Sequence, residues 1–175
     1  MTESAEPRIL ADTGGLVVAD DGRRILVIDR GTGALAVAAF VLGVVALVVG
    51  GFGAVALFTI SAGLGAAFLA VGVVAAIATI IAVRKFRQRR TQPLHACRSV
   101  AVIDRKLGLF SYAGGAVLPM DQVRFQRRMQ LGSSSPKLVA LLPGGTRVLK
   151  RGNPFDGGIG NVDEVLTAAV QAASG

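Results

Sequence analysis

Three kinds of hydrophobic patterning follow one another along the chain. The first is short and strand-like. Residues 1–8 show no apolar period and read as a disordered start, after which two apolar runs, 16–19 and 25–28, are separated by Asp20-Asp21-Gly22. An Asp-Gly turn between two such runs is favoured hairpin chemistry. A lone hairpin is hardly stable in water, so this one needs a sheet to join. The second pattern is continuous. From residue 31 to residue 83 there are 53 positions without one Asp, Glu, Lys, Arg or His, and Thr32, Thr59, Ser61 and Thr79 are the only clearly polar side chains. One bilayer crossing takes about 20 apolar residues. The stretch is too long for a single helix and fits two, near 34–56 and 62–83, turning within "GGFGAVALFTISAGLG" (50–65), where glycines gather. The flanking segments are too short to enclose such a pair in a soluble core.

The third pattern alternates again. "RSVAVIDRKLGLFSY" (98–112) repeats strand, turn and strand, and "VRFQRRMQL" (123–131) places Val123, Phe125, Arg127, Met129 and Leu131 on one face and Arg124, Gln126, Arg128 and Gln130 on the other. "GSSSP" (132–136) reads as a loop, "KLVALL" (137–142) as a strand, "PGG" (143–145) as a turn and "TRVLKR" (146–151) as a strand. A helix over 161–173 closes the chain, with Asn161 placed to cap it and Glu164 at the reciprocal capping-box position. Val162, Val165, Leu166, Ala169, Val170 and Ala173 form its apolar stripe.

The chain thus reads as a membrane α+β protein. A two-helix transmembrane hairpin (31–83) is inserted into a small antiparallel β domain built from the N-terminal strands (1–30) and from 98–175, with 84–97 as a basic juxtamembrane linker. Because both ends of a hairpin emerge on the same side, the N-terminal strands can complete the C-terminal sheet. "VIDRGTG" (27–33) and "VIDRKLG" (102–108) share V-I-D-R-x-x-G, which fits either a duplicated hairpin or two independent Asp-plus-Gly turns.

Charge changes the picture only at the membrane edges. A net charge of +8 and a pI near 11.0 would suit a nucleic-acid binder, but hydrophobic residues make up 52% of the chain and charged ones only 17%, so nucleic acid is not an expected partner. The cations sit where topology needs them. Arg30 precedes the first helix; Arg84, Lys85, Arg87, Arg89 and Arg90 follow the second; the turn between carries none. Lys and Arg beside short loops stay on the cytoplasmic side, which predicts a plasma (inner) membrane protein with both termini cytoplasmic. Those cations would also rest against anionic lipid headgroups. Residues 1–30 lack the basic-then-apolar start of a cleavable signal, and the single cysteine, Cys97, excludes an internal disulfide and fits a reducing compartment.

Candidate chemistry is sparse. Gly31-x-Gly33-x-x-Ala36 matches a dinucleotide fingerprint, yet it runs directly into an apolar helix, and no acid follows before Asp104 to hold a ribose. One His (His95) and one Cys (Cys97) cannot supply the three or four ligands of a zinc site. The carboxylates Asp104, Asp121, Asp156, Asp163 and Glu164 pair with no evident base, so no catalytic constellation, cofactor or metal site is expected and the chain does not read as an enzyme. "GNPFDGGIGN" (152–161) could cradle an anion or serve as a linker. Arg124, Arg127, Arg128, Lys137, Arg147, Lys150 and Arg151 are candidates for a basic surface contacting headgroups or a partner. Arg127 stands out because it interrupts an apolar row; a charge buried alone is expensive, so the row should meet a partner, a headgroup or an acid, unless strand pairing is distorted there. In the helices, Gly43, Gly50, Gly63 and Ala67 belong to small-residue pairs at four-residue spacing, faces that let helices approach closely in lipid.

"VIDRKLGLF", "VLPMDQVRFQ", "LLPGGTRVLK" and "NVDEVLTAAV" together resemble the bacterial pleckstrin-homology-like domains, over about residues 98–173. The resemblance implies a sheet of some seven strands curled into a barrel or sandwich and closed by a C-terminal helix. Strands placed before the hairpin depart from that arrangement. In size, layout and its Ala, Val, Gly and Arg bias the chain is also similar to the small lipid-uptake-coordinator subunit of mycobacterial Mce-type lipid importers, an actinobacterial group. That similarity implies a non-enzymatic accessory subunit whose partners are membrane lipids and other integral membrane subunits, an ABC-type lipid importer among them. The alternative is a membrane-anchored sensor whose basic domain binds anionic headgroups or a soluble protein.

Overall fold

A computed structural model describes residues 7–115 and 117–174. The chain divides into two compact units: Thr32–Thr91, and the residues up to Gly31 joined with those from Gln92 onward.

The second of these is a two-sheet α+β unit. Strands β1 (Arg8–Thr13), β2 (Leu16–Asp20) and β3 (Arg24–Asp29) come from the N-terminal part, and β4 (Arg98–Asp104), β5 (Leu109–Tyr112) and β6 (Val117–Pro119) from the C-terminal part. They form one antiparallel sheet in chain order. The join is β3 on β4, with Ile25 opposite Ile103 and Val27 opposite Ala101. Segments separated in sequence by the whole apolar stretch therefore share one ladder. A second antiparallel sheet contains β7 (Arg124–Gln130), β8 (Ser133–Leu142) and β9 (Gly145–Arg151), and the helix Val162–Ser174 ends the unit. Leu16, Val18, Ile25, Val27, Ile103 and Phe110 of the first sheet bury against Phe125, Leu138, Ala140 and Leu149 of the second and Val162 and Leu166 of the helix. Phe110 and Phe125 meet edge to face at 5.8 Å, a favourable aromatic geometry. The Tyr112 hydroxyl donates to the Val148 carbonyl at 3.1 Å, tying the sheets together.

Local chemistry explains most of the turns. Gly22 and Arg23 donate backbone N–H groups to Asp20 and Asp21, both at 2.9 Å, closing the β2–β3 turn. The repeated V-I-D-R motif has a shared local job: Asp29 accepts from the Gly31 amide at 2.9 Å and Asp104 from the Lys106 amide at 3.1 Å, each bending the chain as it leaves a strand.

Three expectations for this unit are corrected. Arg8 already belongs to β1, so the disordered start does not extend that far; its residues 1–6 lie outside the described part. Strand β1 lacks an apolar alternation of its own and is held by pairing with β2 through a tight turn in which Gly14 and Gly15 both take positive φ, 57° and 72°. "GSSSP" is not a loop, because β8 starts at Ser133 directly after a Leu131-Gly132 turn. Pro136 sits where the register with β7 slips, a place that needs no ladder donor. Finally, Glu164 turns its carboxylate to Arg127 at 3.3 Å rather than back across the helix start.

The other unit is a helical hairpin. Helix α1 spans Gly33–Thr59 and α2 spans Ala62–Arg90, so α3 denotes the terminal helix Val162–Ser174. At 1.5 Å per residue each is about 40 Å long, more than the hydrocarbon thickness of a bilayer. Both are long and apolar enough to cross a membrane. Ser61 caps α2 by accepting from the Leu64 amide at 3.3 Å. The basic segment expected to begin a linker instead completes α2 through Arg90, since Arg, Lys and Gln are good helix formers and cations suit a helix C-terminus. Pro93 then bars continuation.

Candidate functional site

Within the hairpin the packing is the reverse of a soluble core. The buried positions are Ala36, Gly53 and Ala56 of α1 and Gly65, Gly72, Ala75 and Ala82 of α2. The large side chains turn outward, with Leu47 78% and Phe58 88% exposed. Backbone touches backbone along the seam. A Cβ added to Gly72 would lie 2.3 Å from Cα of Gly50, one on Gly53 2.4 Å from N of Leu69, and one on Gly65 2.3 Å from N of Leu57. These pairs lie at matching distances from the turn, as antiparallel helices require. The helices' hydroxyls bond within their own helices, Thr79 near the seam donating to the Ala75 carbonyl at 2.8 Å and exposed Thr59 to the Val55 carbonyl at 3.0 Å.

The four expected packing residues separate into two groups. Gly50 lies on the seam and Gly43 beside it, 3.8 Å from Cγ2 of Thr79 for an added Cβ. Gly63 and Ala67 face outward: the only group near an added Cβ on Gly63 is Ser61 Oγ at 4.0 Å, and Ala67 is exposed. Gly53, Gly65 and Gly72 were missed by sequence reasoning, although glycine spacing in the same helices was the available signal.

The flanking cations differ in their surroundings. Arg84, Lys85, Arg87, Arg89 and Arg90 are exposed on the last turns of α2, where Arg90 lies 4.7 Å from the centre of the Phe86 ring. Arg30 is only 10% exposed and donates to Asp12 at 2.9 Å, so an acid of the same unit already engages it.

The basic surface loses two of its expected members. Arg127 is half-exposed but engaged three times: it donates to the Asp163 carboxylate at 2.9 Å, to the Gly160 carbonyl at 3.0 Å and to Glu164 at 3.3 Å. The acid that its interruption of an apolar row demanded sits in the first turn of α3, where negative charge also suits the helix dipole. Lys150 is buried, 2.5 Å from Asp29, so it belongs to the inside of the sheet. Arg124, Arg128 and Arg151 remain exposed. Asp104 shows the same internal use of charge. Burial disfavours its ionised form, but the Leu107 amide, the Arg24 hydrogen bond and the Arg23 and Arg24 charges outweigh that and hold its carboxyl below the usual range.

The remaining motifs do not converge. Helix α1 begins at Gly33, inside the dinucleotide-like run. His95 is exposed in a short 3-10 turn, and Cys97 points its sulfur to the Pro93 carbonyl at 3.7 Å. No group of three His, Cys, Asp or Glu among the described residues could hold a metal ion. The glycine-rich 152–161 loop is pinned by the Gly152 amide on the Pro136 carbonyl at 3.1 Å and by the Asp156 and Gly158 amides on the Asn153 carbonyl at 3.3 and 3.1 Å, and it packs on the β1–β2 turn at Gly14. Comparison of the chain with protein-family models, curated proteins and solved structures finds no match.

Proposed function

We propose that this protein is a non-enzymatic membrane subunit: α1 and α2 span the inner membrane, and the hairpin docks on a larger integral membrane assembly while the α+β unit stays cytoplasmic. The observation that carries the reading is the division of small residues between two faces. Gly50, Gly53, Gly65 and Gly72 are consumed by the hairpin's own seam, whereas Gly63, Ala66, Ala67 and Ala70 lie exposed on α2 among large apolar side chains. Small outward residues admit a further helix at close range, where packing rather than hydrophobicity drives association in lipid. The resemblances to pleckstrin-homology-like membrane proteins and to the lipid-uptake-coordinator subunit support a lipid-uptake or transport assembly as the partner, with the five cations ending α2 retaining both flanks on the cytoplasmic side.

The test is retention of the native partner in mild detergent, read by mass spectrometry of the tagged protein. Gly63→Leu adds bulk on the outward face and should strip the partner, while Gly51→Leu, also in open space but outside that patch, should not. Full retention in Gly63→Leu defeats the docking face.

A further inference from the structure

Register brings together three cations that the linear order keeps apart. Arg128 of β7 stands opposite Lys137 of β8, and Lys137 stands opposite Arg151 of β9. Directly opposed residues of antiparallel strands share a face, and at about 4.8 Å per strand the three span roughly 10 Å. Like charges in that position repel. The adjacent row of the same sheet is Arg127, Leu138 and Lys150, and both of its cations are neutralised, by Asp163 with Glu164 and by Asp29. Arg23, Arg24, Arg30 and Arg105 likewise have acids: Asp104, Asp12 and Asp20. Arg128, Lys137 and Arg151 have none among the described residues, with Arg128 and Arg151 exposed and Lys137 half-buried. Among the described residues the fold supplies acids to one row and none to its neighbour.

We infer that Arg128, Lys137 and Arg151 form a docking row for the phosphates of anionic lipid headgroups. The inference rests on the membrane-spanning reading of the hairpin, which places a bilayer within reach. The α+β unit is tied to the hairpin at both ends by short connections, from Asp29 to Gly33 and from Arg90 to Arg98, so any bilayer surface is present at high effective concentration. Two of the three are arginines, whose planar fork matches phosphate oxygens in pairs. At the surface of an anionic leaflet each such cation contributes a similar attraction, so weak contacts add along the row.

The experiment uses the full chain in lipid nanodiscs, with Cys97→Ser and a donor dye on Ser134→Cys, and an acceptor dye in the lipid. Sedimentation with the discs first establishes insertion; a chain that fails to co-sediment defeats the membrane reading itself. For inserted protein, energy transfer should be higher in discs containing phosphatidylglycerol than in phosphatidylcholine discs, and should weaken with salt as exposed charges are screened. Each Gln substitution at Arg128, Lys137 or Arg151 should lower the docked-to-undocked ratio about five-fold. The triple variant should lose the lipid dependence, while Arg128→Lys should keep it and report intact folding. Equal transfer in both lipids, or a triple variant that responds like the wild type, overturns the row. So does a loss of transfer with inorganic phosphate that chloride at equal ionic strength does not cause, because the row would then hold a soluble phosphate.

Discussion

The hairpin and the α+β unit solve the same packing problem with opposite choices. In the α+β unit large side chains fill the interior, with Phe110, Leu16 and Ile25 at 1% exposure or less. In the hairpin the hidden residues are glycine and alanine, and phenylalanine, leucine and valine cover the outside. Water drives large apolar groups together, whereas lipid is as apolar as they are and leaves close backbone contact as the main source of helix association. The inside of the α+β unit follows the first rule, and the inside of the hairpin is what the second would require, in keeping with the proposal that it spans a membrane.

That contrast can be broken in an ordered way. The largest effect belongs to the α+β core: Phe110→Ala removes a ring packed on Phe125 and should cost about 3–5 kcal/mol, lowering the denaturation midpoint of that unit. A smaller effect belongs to the seam. Gly72→Leu drives a side chain into the Gly50 backbone and should cost about 1–3 kcal/mol of hairpin stability, seen as reduced cross-linking between cysteines placed in the two helices. Gly51→Leu, with nothing near it, should leave that cross-linking unchanged; equal loss in both would show that the helices do not meet along Gly50 and Gly72. The smallest effect is one of pH. Because the folded Asp104 carboxyl titrates below its usual range, its contribution is present above about pH 4, the ordinary range of an aspartate, and is lost as pH falls further. Asp104→Asn should lower the thermal midpoint at neutral pH, and the gap from wild type should close in acid. A gap that persists unchanged at low pH would assign the loss to something other than ionisation.

Much of the architecture was legible because it rests on gross pattern. The uncharged run 31–83 announced two helices and their turn, and the Asp-Gly turn between apolar runs announced β2 and β3. What escaped depended on partners. Strand β1 has no alternation of its own and exists by pairing with β2. The helical extension through Arg90 was hidden because a run of cations after an apolar stretch does not say whether the backbone there is helix or coil. Arg127 advertised its need for an acid, since a cation in an apolar row is costly, yet nothing local named Asp163. Lys150 gave no such warning, and the alignment of Arg128, Lys137 and Arg151 is a property of register across two turns.

Thr32–Thr91 is proposed to cross a membrane as a hairpin with both flanks on one side. Single cysteines placed in a Cys97→Ser chain at Asp21, Ser61 and Ser134 test it by reaction with an impermeant thiol reagent on intact cells. Asp21 and Ser134 lie in the α+β unit and Ser61 in the turn between the helices. Ser61→Cys should label at once, while Asp21→Cys and Ser134→Cys should label only after the membrane is permeabilised. Labelling of either flank in intact cells would contradict it.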